Sequence, residues 1–113
     1  MNKKQGFETR KKDETAIIVG VINQNQRLEQ AEEYLDELAF LALTAGALVK
    51  KRSLPRLSFP NPRTFIGEGK LQEIADYDLS EEIDIVIFDD ELSPSQLRNL
   101  ENALKCKILD RSN

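Results

Sequence analysis

The stretch Ile85-Val-Ile-Phe-Asp-Asp-Glu-Leu-Ser-Pro-Ser-Gln-Leu-Arg-Asn-Leu-Glu101 decides how this chain folds. It opens on four apolar residues, three of them β-branched. That is the composition of a strand covered on both faces. Asp89, Asp90 and Glu91 end the run, and a helix start follows. Ser93 can cap, Pro94 occupies the first helical position, where a missing N–H costs nothing, and Gln96 can complete a capping box. Leu97, Leu100 and Leu104, with Ala103, recur at helical spacing and are expected to face a core. A buried strand leading into an amphipathic helix is the repeating unit of a parallel α/β sheet.

The rest of the chain repeats that alternation. Ala16 to Ile22 is a continuous apolar run, read as a first strand. Arg27 to Ala45 carries Leu28, Ala31, Leu35, Leu38, Ala39, Ala42 and Ala45 at helical spacing, with Glu29, Glu32, Glu33, Asp36 and Glu37 on the other face. Gly46 suits the residue after that helix, where a left-handed backbone is wanted. Ala47 to Leu54 reads as a second strand. Pro55, Pro60 and Pro62 preclude regular structure up to Ile66. A second helix begins near Gly67 to Lys70 and runs to about Leu79, with Leu71, Ile74, Ala75 and Leu79 as its stripe. Ile83 to Phe88 is the third strand and Lys107 to Asp110 a short fourth.

The predicted fold is therefore α/β, β-α-β-α-β-α-β, a four-stranded parallel sheet flanked by helices in a three-layer-like arrangement. Strand order 2-1-3-4 is favoured, with a singly wound 1-2-3-4 sheet as the alternative. Either order places ligands beyond the carboxyl ends of the strands, where Asn23 to Gln26, the basic residues of the 50s and Asp89 to Glu91 lie.

The 113 residues suit one domain, able to bury about two-thirds of its unfolded surface. Residues 1–14, with Lys3, Lys4, Arg10, Lys11 and Lys12, read as a flexible basic leader, and 15–113 as a single domain. A net charge of −4 argues against an all-round nucleic-acid sleeve but allows a local basic patch. With one cysteine, Cys106, and no histidine, zinc fingers, intrachain disulfides and histidine-based nucleophilic sites are excluded. Cys106, Tyr34 and Tyr77 read as packing residues. No signal peptide and no run of about 20 apolar residues is present, so a cytoplasmic chain without a membrane span, and a monomer, is expected.

Two segments invite a functional reading. Lys50, Lys51, Arg52, Arg56, Arg63 and Lys70 form a dense basic region interleaved with Phe59, Phe65 and prolines. That mixture suits RNA backbone and unstacked bases, although Phe65 and Ile66 read better as core. Gly67-Glu-Gly-Lys70 offers a phosphate contact through Gly67, Gly69 and Lys70 at a helix start. Its spacing matches no nucleoside-triphosphate loop, because Thr64 and Leu71 stand where Gly and Ser or Thr are needed, and no dinucleotide fingerprint, because no third Gly follows. The plainer reading is that the glycines ease a tight turn. The acids 89–91 are read as complementing a helix N-terminus and not as magnesium ligands.

Asn61-Pro-Arg-Thr-Phe-Ile-Gly-Glu-Gly-Lys70 with Glu73-Ile74, Phe88-Asp-Asp-Glu-Leu-Ser-Pro-Ser-Gln-Leu-Arg-Asn-Leu-Glu101 and Leu109-Asp-Arg-Ser112, in this order and spacing, resemble the N-terminal domain of the HflX-type ribosome-associated GTP-binding proteins. The resemblance runs from about Ile17 to Arg111. It implies an accessory α/β domain followed by a helical linker and a Ras-like domain that binds GTP and Mg²⁺. It also implies a large-ribosomal-subunit and ribosomal-RNA partner, contact with the chain's own GTP-binding domain, and a role in splitting or rescuing stalled ribosomes under stress. On this reading the fragment has no cofactor and no catalytic or metal site of its own. Two other readings stand beside it: an ATP-binding domain with weak hydrolysis, and a purely intramolecular regulator of a GTPase.

Overall fold

The computed structural model describes residues 14–22, 25 and 27–112. The predicted leader lies outside the described residues, except that Glu14 already opens the first strand. In chain order the elements are β1 (Glu14–Val19), α1 (Leu28–Thr44), β2 (Ala47–Ser53), α2 (Glu68–Glu81), β3 (Ile85–Phe88), α3 (Pro94–Leu104) and β4 (Lys107–Leu109).

The four strands pair in parallel in the order β2-β1-β3-β4, so the chain adopts the 2-1-3-4 arrangement and not the singly wound one. The apolar runs explain why β1 and β3 take the centre. Ala16 to Val19 are fully buried and Val86 and Phe88 nearly so, which only a strand covered on both faces allows. Ile17, Val19, Val86 and Phe88 meet Ile74 of α2 and Leu100 and Leu104 of α3 on one face. Ala16, Ile85 and Ala47 meet Ala42 of α1 on the other. Each buried Val, Ile, Leu or Phe among them contributes about 1.5–3 kcal/mol on leaving water.

β2 is an edge strand, and its burial alternates. Its register against β1 jumps: Ala16 faces Val49, and Ile17 faces Lys51, leaving Lys50 as a bulge. α2 closes over that irregularity. The Tyr77 hydroxyl donates to the Lys50 carbonyl at 3.2 Å, and the Lys51 ammonium lies 5.2 Å from the centre of the Tyr77 ring. Gly46, at φ 94°, ends α1 in a conformation that a side chain would strain.

Several expected core positions face water instead. Leu79 is 81% exposed. It lies five residues past Ile74, about 140° round the helix, and so misses the sheet. Ala103 and Ala45 are exposed as well, as is much of Leu28 and of Tyr34. Cys106 is half-buried against the main core; burial first, then the charges of Asp78 and Asp84, pushes its thiol up to about 11.

Candidate functional site

Between β2 and α2 the chain has no regular structure, yet its path is held at almost every step. Ile22 accepts from Leu57 N (2.9 Å) and donates to the Pro55 carbonyl (3.0 Å), which continues the parallel sheet by one bridge. Farther on, Asn61 and Phe65 exchange backbone hydrogen bonds at 3.0 and 2.8 Å and close a tight turn. The Asn61 side-chain oxygen accepts from the N–H groups of Arg63 (2.8 Å) and Thr64 (3.2 Å) within it. This is the Asx-type capping that makes asparagine common in turns.

Phe65 stands at φ 68°, an uncommon backbone for a bulky side chain. Its burial holds it there. The ring is 3% exposed and packs edge-on against Phe88, 6.0 Å between centres. Ile66 beside it is fully buried. Both were expected in the core, and both anchor the segment to it.

α3 clamps the turn from outside. Ser93 caps the helix by accepting from Gln96 N (3.1 Å), and the Gln96 side-chain oxygen accepts from Ser93 N (2.8 Å). The same carboxamide donates its N–H to the Asn61 carbonyl at 2.8 Å. One helical turn later, Asn99 donates to the Arg63 carbonyl at 2.9 Å. The capping box was legible in the sequence; its second use, to hold a turn 35 residues away, was not.

The turn, α2 and α3 enclose a groove of about 490 Å³. Leu71, Ala75 and the exposed Ala103 are its apolar lining. Asn99, Asn102, Gln72 and Asn61 line its sides with carboxamides, and Arg63 and Glu68 stand at the rim.

The basic residues fare differently. Lys50 pairs with Glu81 at 3.5 Å, Arg52 pairs with Asp36, and Lys70 pairs with Glu73 at 3.1 Å. Lys51 is occupied by the Tyr77 ring. Arg56 is exposed on the bridge to Ile22, and Arg63 is exposed at the groove. Arg63 has no carboxylate partner among the described residues. The sequence region is dense in cations, but the fold sends Lys50 and Lys51 toward α2 and Arg52 toward α1, and brings only Arg63 to the groove.

Gly67 precedes α2 with an ordinary extended backbone, φ −68° and ψ 162°. A Cβ at Gly67 or at Gly69 would meet nothing within 4 Å. The tight turn expected to need these glycines is therefore not the reason for them. Lys70 is half-buried and engaged by Glu73.

The acids after β3 serve the fold. Asp89 pairs with Arg111 at 3.3 Å; burial raises its carboxyl, and Arg111 offsets part of that rise. The Asp90 side chain accepts from Glu91 N at 2.8 Å. Asp110, past β4, accepts from Leu92 N at 2.8 Å and from the Ser112 hydroxyl at 2.8 Å. Burial works to raise the Asp110 carboxyl, but its hydrogen bonds from Leu92 and Ser112 outweigh that and hold it below the usual value. Among the described residues, no group of three or more acids or thiols could hold a metal ion, and no helix is long and apolar enough to cross a membrane.

The chain is thus a four-stranded parallel α/β domain with a clamped, proline-broken loop. The family described as GTP-binding GTPase N-terminal matches residues 32–113. The chain belongs to the family of HflX-type GTPase N-terminal domains. It is 52% identical over 99 residues to a GTPase HflX of Flavobacterium psychrophilum, covering 88% of this chain and 24% of that protein. A GTPase HflX of Escherichia coli is 33% identical over 100 residues, covering 88% of this chain and 22% of that one. The chain thus spans about a quarter of the length of these curated relatives. Among solved structures it resembles a GTP-binding protein from Sulfolobus solfataricus in complex with GDP, with TM-score 0.60 and 26% identity over 87% of this chain and 27% of that one. An SsGBP variant, G235P, gives TM-score 0.63 at the same identity, over 87% of this chain and 29% of that one.

Proposed function

We propose that this domain is the ribosome- and RNA-binding module of a cytoplasmic HflX-type GTPase, acting on the large subunit to split or rescue stalled ribosomes. GTP and Mg²⁺ belong to the GTP-binding domain of such a protein, and the domain described here places that engine without hydrolysing nucleotide itself. The observation that carries the reading is the clamped turn at Asn61–Phe65, which holds Arg63 exposed at an amide-lined groove, where Glu68 shares the rim but no carboxylate among the described residues pairs with Arg63. A rigid loop offering a free guanidinium suits phosphate and the edges of unpaired bases. Arg56 and Lys70 flank it along the chain. Lys50, Lys51 and Arg52 contribute to the local field, each already engaged within the fold.

The test is co-sedimentation of the full-length protein with large subunits at fixed salt. Replacing Arg56, Arg63 and Lys70 together by Glu is expected to weaken binding at least about tenfold, because each phosphate contact adds to the affinity and to its salt dependence. Unchanged co-sedimentation would remove this surface as the contact. The ATP-binding reading finds less support: the Gly67–Lys70 start has no phosphate-loop spacing, and Lys70 is held by Glu73.

A further inference from the structure

Phe59 is the most exposed large apolar side chain among the described residues, at 82%. Its setting sets it apart. Phe40, Leu41 and Leu79 are exposed on helices, whereas Phe59 stands on the irregular segment between β2 and α2. That segment is pinned on both sides of the ring. Before it, Leu57 N donates to the Ile22 carbonyl and Ile22 N to the Pro55 carbonyl. After it, Asn61 exchanges backbone bonds with Phe65 and accepts from Gln96 of α3. Only Ser58, Phe59 and Pro60 lie between the two anchors. Pro60 fixes its own φ and disfavours helical backbone at Phe59, which stiffens this short span. Phe65, six residues on, packs in the core; Phe59 does not.

We propose that Phe59 is a stacking platform for one unpaired base of RNA, with Arg56 and Arg63 drawing in the backbone on either side. The proposal rests on the RNA-binding reading above and adds to it the state of the RNA, single-stranded at this point. Residues 53–67 contain these two arginines and no acid, and both are exposed, so a polyanion is favoured there. A single ring matches a single base, and stacking tolerates any base because each has a π face. A base inside a duplex has its faces covered by its neighbours, so the platform selects unstacked ones. A ring already held in place also loses little freedom on binding. A protein partner would need about 800 Å² of surface on each side, and the exposed neighbours of Phe59 along the chain, Arg56, Ser58, Pro60, Pro62 and Arg63, build no such apolar patch.

The experiment uses a full-length protein carrying this domain and two probes: a single-stranded oligoribonucleotide of about 12 nucleotides, and the same strand annealed to its complement. Phe59→Ala is expected to weaken single-strand binding about five- to hundredfold. It should leave duplex binding unchanged, and also the slope of affinity against salt, since no charge is lost. Phe59→Trp is expected to keep the affinity. Arg63→Gln should weaken both probes and flatten the salt dependence, as loss of a phosphate contact does. Because the ring is exposed, Phe59→Ala should shift the melting transition by less than about 3 °C. A Phe59→Ala protein that binds the single strand as tightly as the unaltered one overturns the stacking, and if Arg63→Gln still weakens binding the RNA reading stands. Equal losses on single strand and duplex overturn it as well. If the unaltered protein binds neither probe, the stacking falls; co-sedimentation with large subunits that Phe59→Ala abolishes would then assign the ring to a protein partner, and absence of co-sedimentation would remove the RNA reading too.

Discussion

The carboxamide of Gln96 joins the start of α3 to the carbonyl of Asn61, and one side chain thereby serves as helix cap and loop clamp together. It is 9% exposed, so neither bond has water as a ready substitute.

Replacing Gln96 by Ala is expected to cost about 1–3 kcal/mol, from the Ser93 N–H left without its acceptor and the loss of one of the two bonds to the Asn61 carbonyl, which keeps Phe65 N. Gln96→Glu separates the two. It keeps the acceptor for Ser93 N, loses the donor to Asn61, and should fall between. Urea titration measures both. If the Glu variant is as stable as the unaltered protein, the Asn61 bond contributes nothing.

Gly69 makes the opposite prediction. With open space at both Gly67 and Gly69 and no left-handed backbone, Ala at Gly69, inside α2, should stabilise the protein by about 0.5–1 kcal/mol, whereas Ala at Gly67, the N-cap, should cost about 0.5 kcal/mol because Gly caps better than Ala. A thermal melt reads this directly. If either variant gains stability while ribosome binding falls, the glycine is kept for close approach by a ligand.

Asp110 carries the pH dependence. Its folded-state value is depressed, so its contribution is present above the unfolded-state value of about 3.9 and is lost as pH falls through the lower folded-state value. Asp110→Asn should cost about 1–3 kcal/mol near neutrality, since it weakens the hydrogen bonds from Leu92 and Ser112. The gap between the two proteins should narrow below about pH 4. A gap that stays constant from pH 7 to pH 3 would contradict the assignment.

Local chemistry was the legible part of this sequence. The cap at Ser93, the stop at Gly46 and the apolar runs of β1 and β3 each act over a few residues, so the alternation and the 2-1-3-4 order could be read from them. Tyr34, Leu79 and Ala103 were expected inward and stand outside, because a stripe read on a helical wheel does not say where the sheet ends beneath it. The basic region failed in a related way. Six cations close in sequence are dispersed by a bulge at Lys50 and by acids on α1 and α2, and only the folded chain shows which are neutralised. Arg63 stands apart because Asn61, Gln96 and Asn99 fix its backbone, a relation that needs α3 beside the loop.

The bulge at Lys50 has a meaning for how such a protein is made. A flat, open β2 edge would be a template for any other strand nearby. Here the register jump, the three consecutive cations Lys50, Lys51 and Arg52, and the Tyr77 lock spoil that template. A domain that stands first in its family's chains leaves the translating ribosome well before the remaining three quarters exist. With its β2 edge already closed to strangers, a domain of this kind can stand folded and solitary while such a chain is still being made.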